Sequence, residues 1–228
     1  ARQTLLDAVQ LDPGFIEARL QAAYACHVCG DNTQQEAMLR GAIDWPAQPA
    51  EQALVLSTML SVQGDLDAAL HTLARARLPD EPAAAVMRLR IAAQRALLYE
   101  RNNRIDAAQD ELRQLPPRVL DALPPDADQA RADGWRAHAV LAMRRGAHAE
   151  ADALYRRVLA CAVDDESRAS AAFGLASALD RQGQYREAWQ ALQKAHAIQL
   201  EIARNVVPEL LAADSRPLWF LAAWACRR

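Results

Sequence analysis

The sequence predicts an all-α chain in which antiparallel helix pairs stack into a solenoid. Three observations carry that prediction. Long runs of Ala, Leu, Arg, Glu and Gln favour helix on intrinsic propensity, and only 8 of the 228 residues are glycine. No alternating stretch of Val, Ile and Thr is long enough to read as a strand. A short motif recurs along the chain: glycine or asparagine, an alanine five residues on, then an apolar residue four further.

The copies run as follows. The chain opens on the end of one, with Ala1, Leu5 and Ala8 before an LDP turn, which gives a partial repeat over 1–15. The next, 16–49, has Gly30 and Leu39 but Gln35 in the alanine position. The third, 50–80, holds Gly64, Ala69 and Leu73. The fourth, 82–115, starts with EPAAAV, which lengthens the front of a helix, and carries Asn103, Ala108 and Leu112. The segment PPRVLDALPPDADQ (116–129) reads as a proline-rich link. Beyond it, 130–163 carries Gly146, Ala151 and Tyr155, and 166–198 carries Gly183, Ala188 and Leu192. The alanine positions 1, 35, 69, 108, 151 and 188 are spaced by 34, 34, 39, 43 and 37 residues. Asp65, Asp67 and the run Asp164-Asp165-Glu166 place acid at helix starts, where the helix dipole favours it.

The period and the residues resemble the tetratricopeptide repeat family, whose pattern is W-x2-L-G-x2-Y followed by A-x3-F. Trp135 and Tyr155 supply the aromatic signature in one copy, and Leu175, Ala176, Leu179, Ala188, Leu192 and Ala195 fill it in the last. His138 and Arg95 stand where apolar residues are usual. The resemblance covers about residues 1–200 and implies a right-handed α-solenoid of about five helix-turn-helix repeats. Residues 196–213 continue as a capping helix that Pro208 should interrupt, and an apolar tail, DSRPLWFLAAWACRR, follows.

The family resemblance also implies a binding surface, because first helices of such repeats line a concave groove. Carried onto this chain, the groove positions are Leu20 and Tyr24, Leu54 and Thr58, Arg90 and Leu97, Arg136 and Val140, and Phe173 and Ser177. The Lys and Asn residues with which chaperone-binding members hold a peptide's terminal carboxylate are replaced here by Leu20, Gln21, Tyr24 and Leu54, Val55, Thr58. The implied partner is a protein or peptide presenting an apolar-faced helix or an extended segment. The last repeat and the tail are also similar to the region preceding the catalytic domain in bacterial repeat–sulfotransferase fusions. The alternative is therefore an accessory repeat region of a larger bacterial enzyme. The phosphate-binding P-R-S-G-T-like loop of that family has no counterpart in AAWACRR.

Catalytic and cofactor chemistry finds no support in the motifs. Cys26-His27-Val28-Cys29 is a C-x-x-C, but no second pair completes a zinc set and no βαβ pattern surrounds it. In the repeat register Cys26 is a small packing residue. The five histidines fall on different repeats, and no phosphate loop, nucleophile elbow or H-E-x-x-H is present. No cofactor or metal is expected. The charge balance, 26 basic against 29 acidic residues, argues against a nucleic-acid face. Only Lys194 among the basic residues is lysine, which points to GC-rich, bacterial coding. No apolar run is long enough for a membrane span, no signal core opens the chain, and four cysteines are too few for a disulfide framework. A cytoplasmic setting is the expectation. Self-association is a further expectation, because the chain starts in mid-repeat.

Overall fold

A computed structural model describes residues 2–206. The described residues form twelve α-helices and two short 3-10 turns, and no strand. A lone helix, α1 (Arg2–Leu11), precedes five helix pairs. The pairs are α2 (Ile16–Val28) with α3 (Asn32–Leu39), α4 (Ala50–Val62) with α5 (Leu66–Ala74), and α6 (Ala83–Arg101) with α7 (Ile105–Leu112). Then follow α9 (Asp128–Arg144) with α10 (His148–Cys161), and α11 (Asp165–Arg181) with α12 (Tyr185–Val206). A short helix, α8 (Pro117–Asp121), stands between the third and fourth pairs.

The turn within each pair follows from its residue type. Gly30, Gly64, Gly146 and Gly183 have φ between 73° and 87°, and Asn103, in the same position, has φ 59°. This left-handed conformation ends a helix at little cost only for glycine or asparagine. Acidic caps start α3, α5 and α11. Asp31, Asp65 and Asp164 accept from the backbone N–H of Gln34 (3.1 Å), Ala68 (3.0 Å) and Ser167 (2.7 Å).

Small residues let the helices of a pair approach closely. Ala69, Ala108 and Ala151 are fully buried at the repeated alanine position. Gln35, the exception, is also buried; its amide oxygen lies 3.3 Å from His27 Nδ1, and its NH2 points at the Met59 sulfur at 3.9 Å. The apolar core is a column of adjoining clusters. One holds Leu20, Leu56, Leu60 and Leu98, and a larger one holds Trp135, Tyr155, Val158 and Leu179.

One expectation needs correction. The stretch 116–129 is not merely a link: Leu120 within it, like Leu115 just before it, is fully buried in the larger cluster. Arg131 fastens it by donating to the carbonyls of Leu123 (2.7 Å), Pro124 (3.1 Å) and Leu120 (3.4 Å). Prolines set the bends here, but the intervening Leu120 is core. The second helix of the last pair, α12, runs unbroken past residue 198 to Val206, 22 residues in all. The expected interruption at Pro208 and the apolar tail lie outside the described residues.

Gly174, on α11, faces the ring of Tyr155 on α10. A Cβ built there would lie 2.3 Å from Tyr155 Cζ, inside any normal contact. Gly174→Ala gains helix propensity of about 1 kcal/mol but must push back a buried ring, an overpacking cost of about 1–3 kcal/mol. The expected result is a net loss of up to about 2 kcal/mol, read as a lowered urea midpoint at unchanged m.

Candidate binding groove

The first helices of the pairs share one concave side, and a groove of about 1000 Å³ opens along it. Its volume is at the upper end of the range for ligand sites. Each of α4, α6, α9 and α11 contributes a stripe at i, i+3 or i+4, i+7 spacing: Glu51, Leu54, Val55 and Thr58; Arg90, Gln94 and Leu97; Gln129, Asp133 and Arg136; Glu166, Ser170 and Phe173. Residues so spaced fall on one face of a helix. The lining crosses the array obliquely. It uses the last turns of α2 (Tyr24, His27, Val28), the middle of α4 and α6, and the first turns of α9 and α11.

That slant decides where the expected groove residues lie. Tyr24, Leu54, Thr58, Arg90, Leu97, Arg136 and Phe173 line the groove together. Leu20, Val140 and Ser177 do not. Leu20 is 2% exposed and belongs to the core cluster with Leu56, because α2 meets the groove only with its last turns. Val140 and Ser177 stand on turns of α9 and α11 beyond those that reach the cavity. Gln94, Gln199, Ile202 and Ala203 line it without having been expected. Gln94 was legible as the residue one turn beyond Arg90. The α12 residues depend on that helix running past its pair.

Polar contacts tie the first helices to one another across the groove floor. Arg90, on α6, sits between α4 and α9: Nη1 meets Glu51 Oε1 at 2.5 Å and Nε meets Asp133 Oδ2 at 2.9 Å. Gln129 donates to the other Asp133 oxygen at 2.9 Å. Burial opposes the Arg90 charge, but Asp133 and Glu51 outweigh it and hold the guanidinium above its ordinary pKa. At Asp133 burial dominates and pushes the carboxyl up, although Arg90, Gln129 and Arg136 pull the other way. Gln94 donates to Thr58 Oγ1 at 2.9 Å, and Arg144 pairs with Glu100 at 2.8 Å.

The groove also closes on itself at one point. Tyr24, on α2, donates to Glu166 Oε1, on α11, at 3.1 Å, joining residues 142 positions apart. Burial, followed by the charge of Glu166, raises the Tyr24 phenol pKa. The curvature of five pairs therefore brings the first and last groove helices together.

The two thiols of the C-x-x-C differ in environment. Cys26 is fully buried, Cys29 is exposed, and both are free. Burial, with Asp31 nearby, raises the Cys26 thiol pKa, so its nucleophilic thiolate is disfavoured. Among the described residues no cluster of His, Cys, Asp and Glu is arranged to hold a metal, and no helix is long and apolar enough to cross a membrane.

Stacked helix pairs with left-handed turns, alanine contacts and a concave face of first helices define an array with the tetratricopeptide-like repeat fold. No protein-family model and no curated protein matches the sequence. Among solved structures, BtubC (BKLC) from P. vanneervenii is similar over 89% of this chain and 88% of its own, with 14% identity and a TM-score of 0.50. A putative kinesin light chain of Podosopora anserina, with nearly identical TPR-like repeats, is similar over 84% of this chain and 98% of its own. It has 18% identity and a TM-score of 0.45, and a point variant of the same protein has a TM-score of 0.46. At 14% identity the likeness to BtubC bears on the fold alone.

Proposed function

We propose that the chain is a non-catalytic interaction scaffold that binds a helical or extended peptide segment in its concave groove. The observation that supports this best is the composition of the continuous lining. Leu54, Val55, Leu97, Phe173 and Ile202 supply an apolar surface, and the Glu51–Arg90–Asp133 chain and Arg136 supply charge beside it. Apolar anchors beside fixed charges suit a peptide whose side chains give affinity and whose polar groups set register. Among the described residues, burial and neighbouring charges account for the perturbed acids, thiols and phenols.

The test is a peptide-display selection against the full chain, with binding of selected peptides measured by fluorescence anisotropy. Leu97→Asp places a charge among the apolar lining at a half-buried position that packs against the larger core cluster, so the fold is checked alongside. It is expected to weaken selected peptides at least tenfold, about 1.4 kcal/mol, whereas Tyr185→Asp, on an exposed outer position, leaves them unchanged. Peptides indifferent to Leu97→Asp, with the fold intact by circular dichroism, would overturn the reading.

A further inference from the structure

We infer that the groove has an occupant within this chain: the segment 214–228, which follows α12. The inference rests on the groove being a peptide site, and three observations point to this occupant. The first is where the chain leads. Gln199, Ile202 and Ala203 already line the groove, and Val206 ends α12 one turn later. The last described turns of α12 therefore lie beside the groove. Residues 207–217 precede Leu218. Extended, these 11 residues reach up to about 36–40 Å.

The second observation is charge. The lining contains four carboxylates, Glu51, Asp133, Asp164 and Glu166, and two guanidiniums, Arg90 and Arg136. Arg90 is already held by two of those acids. The groove is thus net acidic, with Asp164 and Glu166 at its α11 end. The segment DSRPLWFLAAWACRR carries Arg216, Arg227 and Arg228 against Asp214 alone. The two charges are complementary, which selects against an acidic occupant.

The third is apolar content. Leu218, Trp219, Phe220, Leu221 and Trp224 form a short apolar run. The groove offers a matching surface at Leu54, Leu97 and Phe173. Large aromatic side chains in a preformed apolar site are the usual anchors of peptide recognition. Because the segment is tethered, its effective concentration at the groove is of the order of millimolar. A partner in trans must displace it, so this contact sets a threshold on binding by the scaffold.

The experiment uses the full chain with Phe220 replaced by the photo-crosslinker p-benzoylphenylalanine. The expected product on irradiation is an intramolecular crosslink, independent of dilution, to peptides containing Leu54, Leu97 or Phe173. A crosslink to the exposed face of α12 at Tyr185 or Trp189, a crosslink between two copies, or no crosslink would overturn the inference. A second measurement titrates a labelled, amide-capped peptide of residues 214–228 into the full chain and into its W219S/F220S variant. Removing the tethered competitor is expected to tighten the peptide by about tenfold or more, and adding Leu97→Asp is expected to abolish the gain. Equal binding by both chains overturns cis occupancy. If display-selected peptides still depend on Leu97 in that case, the groove reading stands and only the occupant is wrong. If no peptide depends on Leu97, both fall.

Discussion

Trp135→Ala is expected to lower the stability of the array by about 3–5 kcal/mol, the range for truncating a fully buried aromatic. The side chain is 1% exposed and is the largest of the fully buried ones among the described residues. It also organises its surroundings. The Arg157 guanidinium lies 3.6 Å from the ring centroid, and the same arginine pairs with Asp121 on α8. His138 packs at 6.0 Å between centroids, tilted to the indole, and donates through Nε2 to the Leu115 carbonyl at 2.7 Å. Truncation therefore leaves a cavity and loosens α8, whose Leu120 packs in the same cluster. In a chain of this length the loss corresponds to a fall in melting temperature of roughly 6–20 °C. Repeats contact mainly their neighbours, so the damage is local as well as large. Hydrogen exchange is expected to rise first in α8, α9 and α10 and least in α4 and α5. Uniform loss of protection along the chain would contradict a core built repeat by repeat.

The architecture was legible because the residues that set it act locally. A glycine at the left-handed turn and an alanine at a helix contact follow from geometry within a single repeat, and Gly64 with Ala69 states the rule as clearly as Gly183 with Ala188. What was not legible depends on how repeats add up. Nothing in PPRVLDALPPDADQ distinguishes Leu120 from a leucine on a surface link. Its burial follows from Gly134, where a Cβ would lie 2.5 Å from Leu120 Cδ2, so that α8 can press against α9. The groove positions show the same limit. A fixed slot rule assigns Leu20 and Phe173 alike, yet the slant of the cavity leaves one in the core and sets the other in the lining. That slant, and the meeting of Tyr24 with Glu166, accumulate over five pairs. The lining residues of α12 needed one more fact, that this helix runs through to Val206.

Arg90→Met is expected to cost about 2–3 kcal/mol at neutral pH, and the loss is expected to shrink in acid. Removing one partner of a buried pair costs about 3–5 kcal/mol, and the figure is reduced because 24% of the Asp133 side chain remains exposed. Methionine keeps most of the arginine's apolar stem, so the loss reports mainly on the stranded carboxylate. Burial already raises the Asp133 pKa while Arg90 opposes the rise. Without Arg90 the carboxyl moves up further. A carboxyl whose folded pKa lies above its unfolded one makes the folded state bind more protons, so stability falls as pH rises. The penalty is therefore absent below the unfolded value of about 4 and develops as pH climbs through the folded pKa. Urea unfolding of the variant and the parent chain between pH 4 and 8 is expected to show a gap that widens with pH. Adding Asp133→Asn to Arg90→Met should close most of that gap at pH 8, since the amide keeps its shape and carries no charge. A gap that is constant with pH, or that Asp133→Asn leaves unchanged, would mean that Arg90 acts through its pairing with Glu51 and not as the counter-charge that lets Asp133 sit ionised in the groove floor.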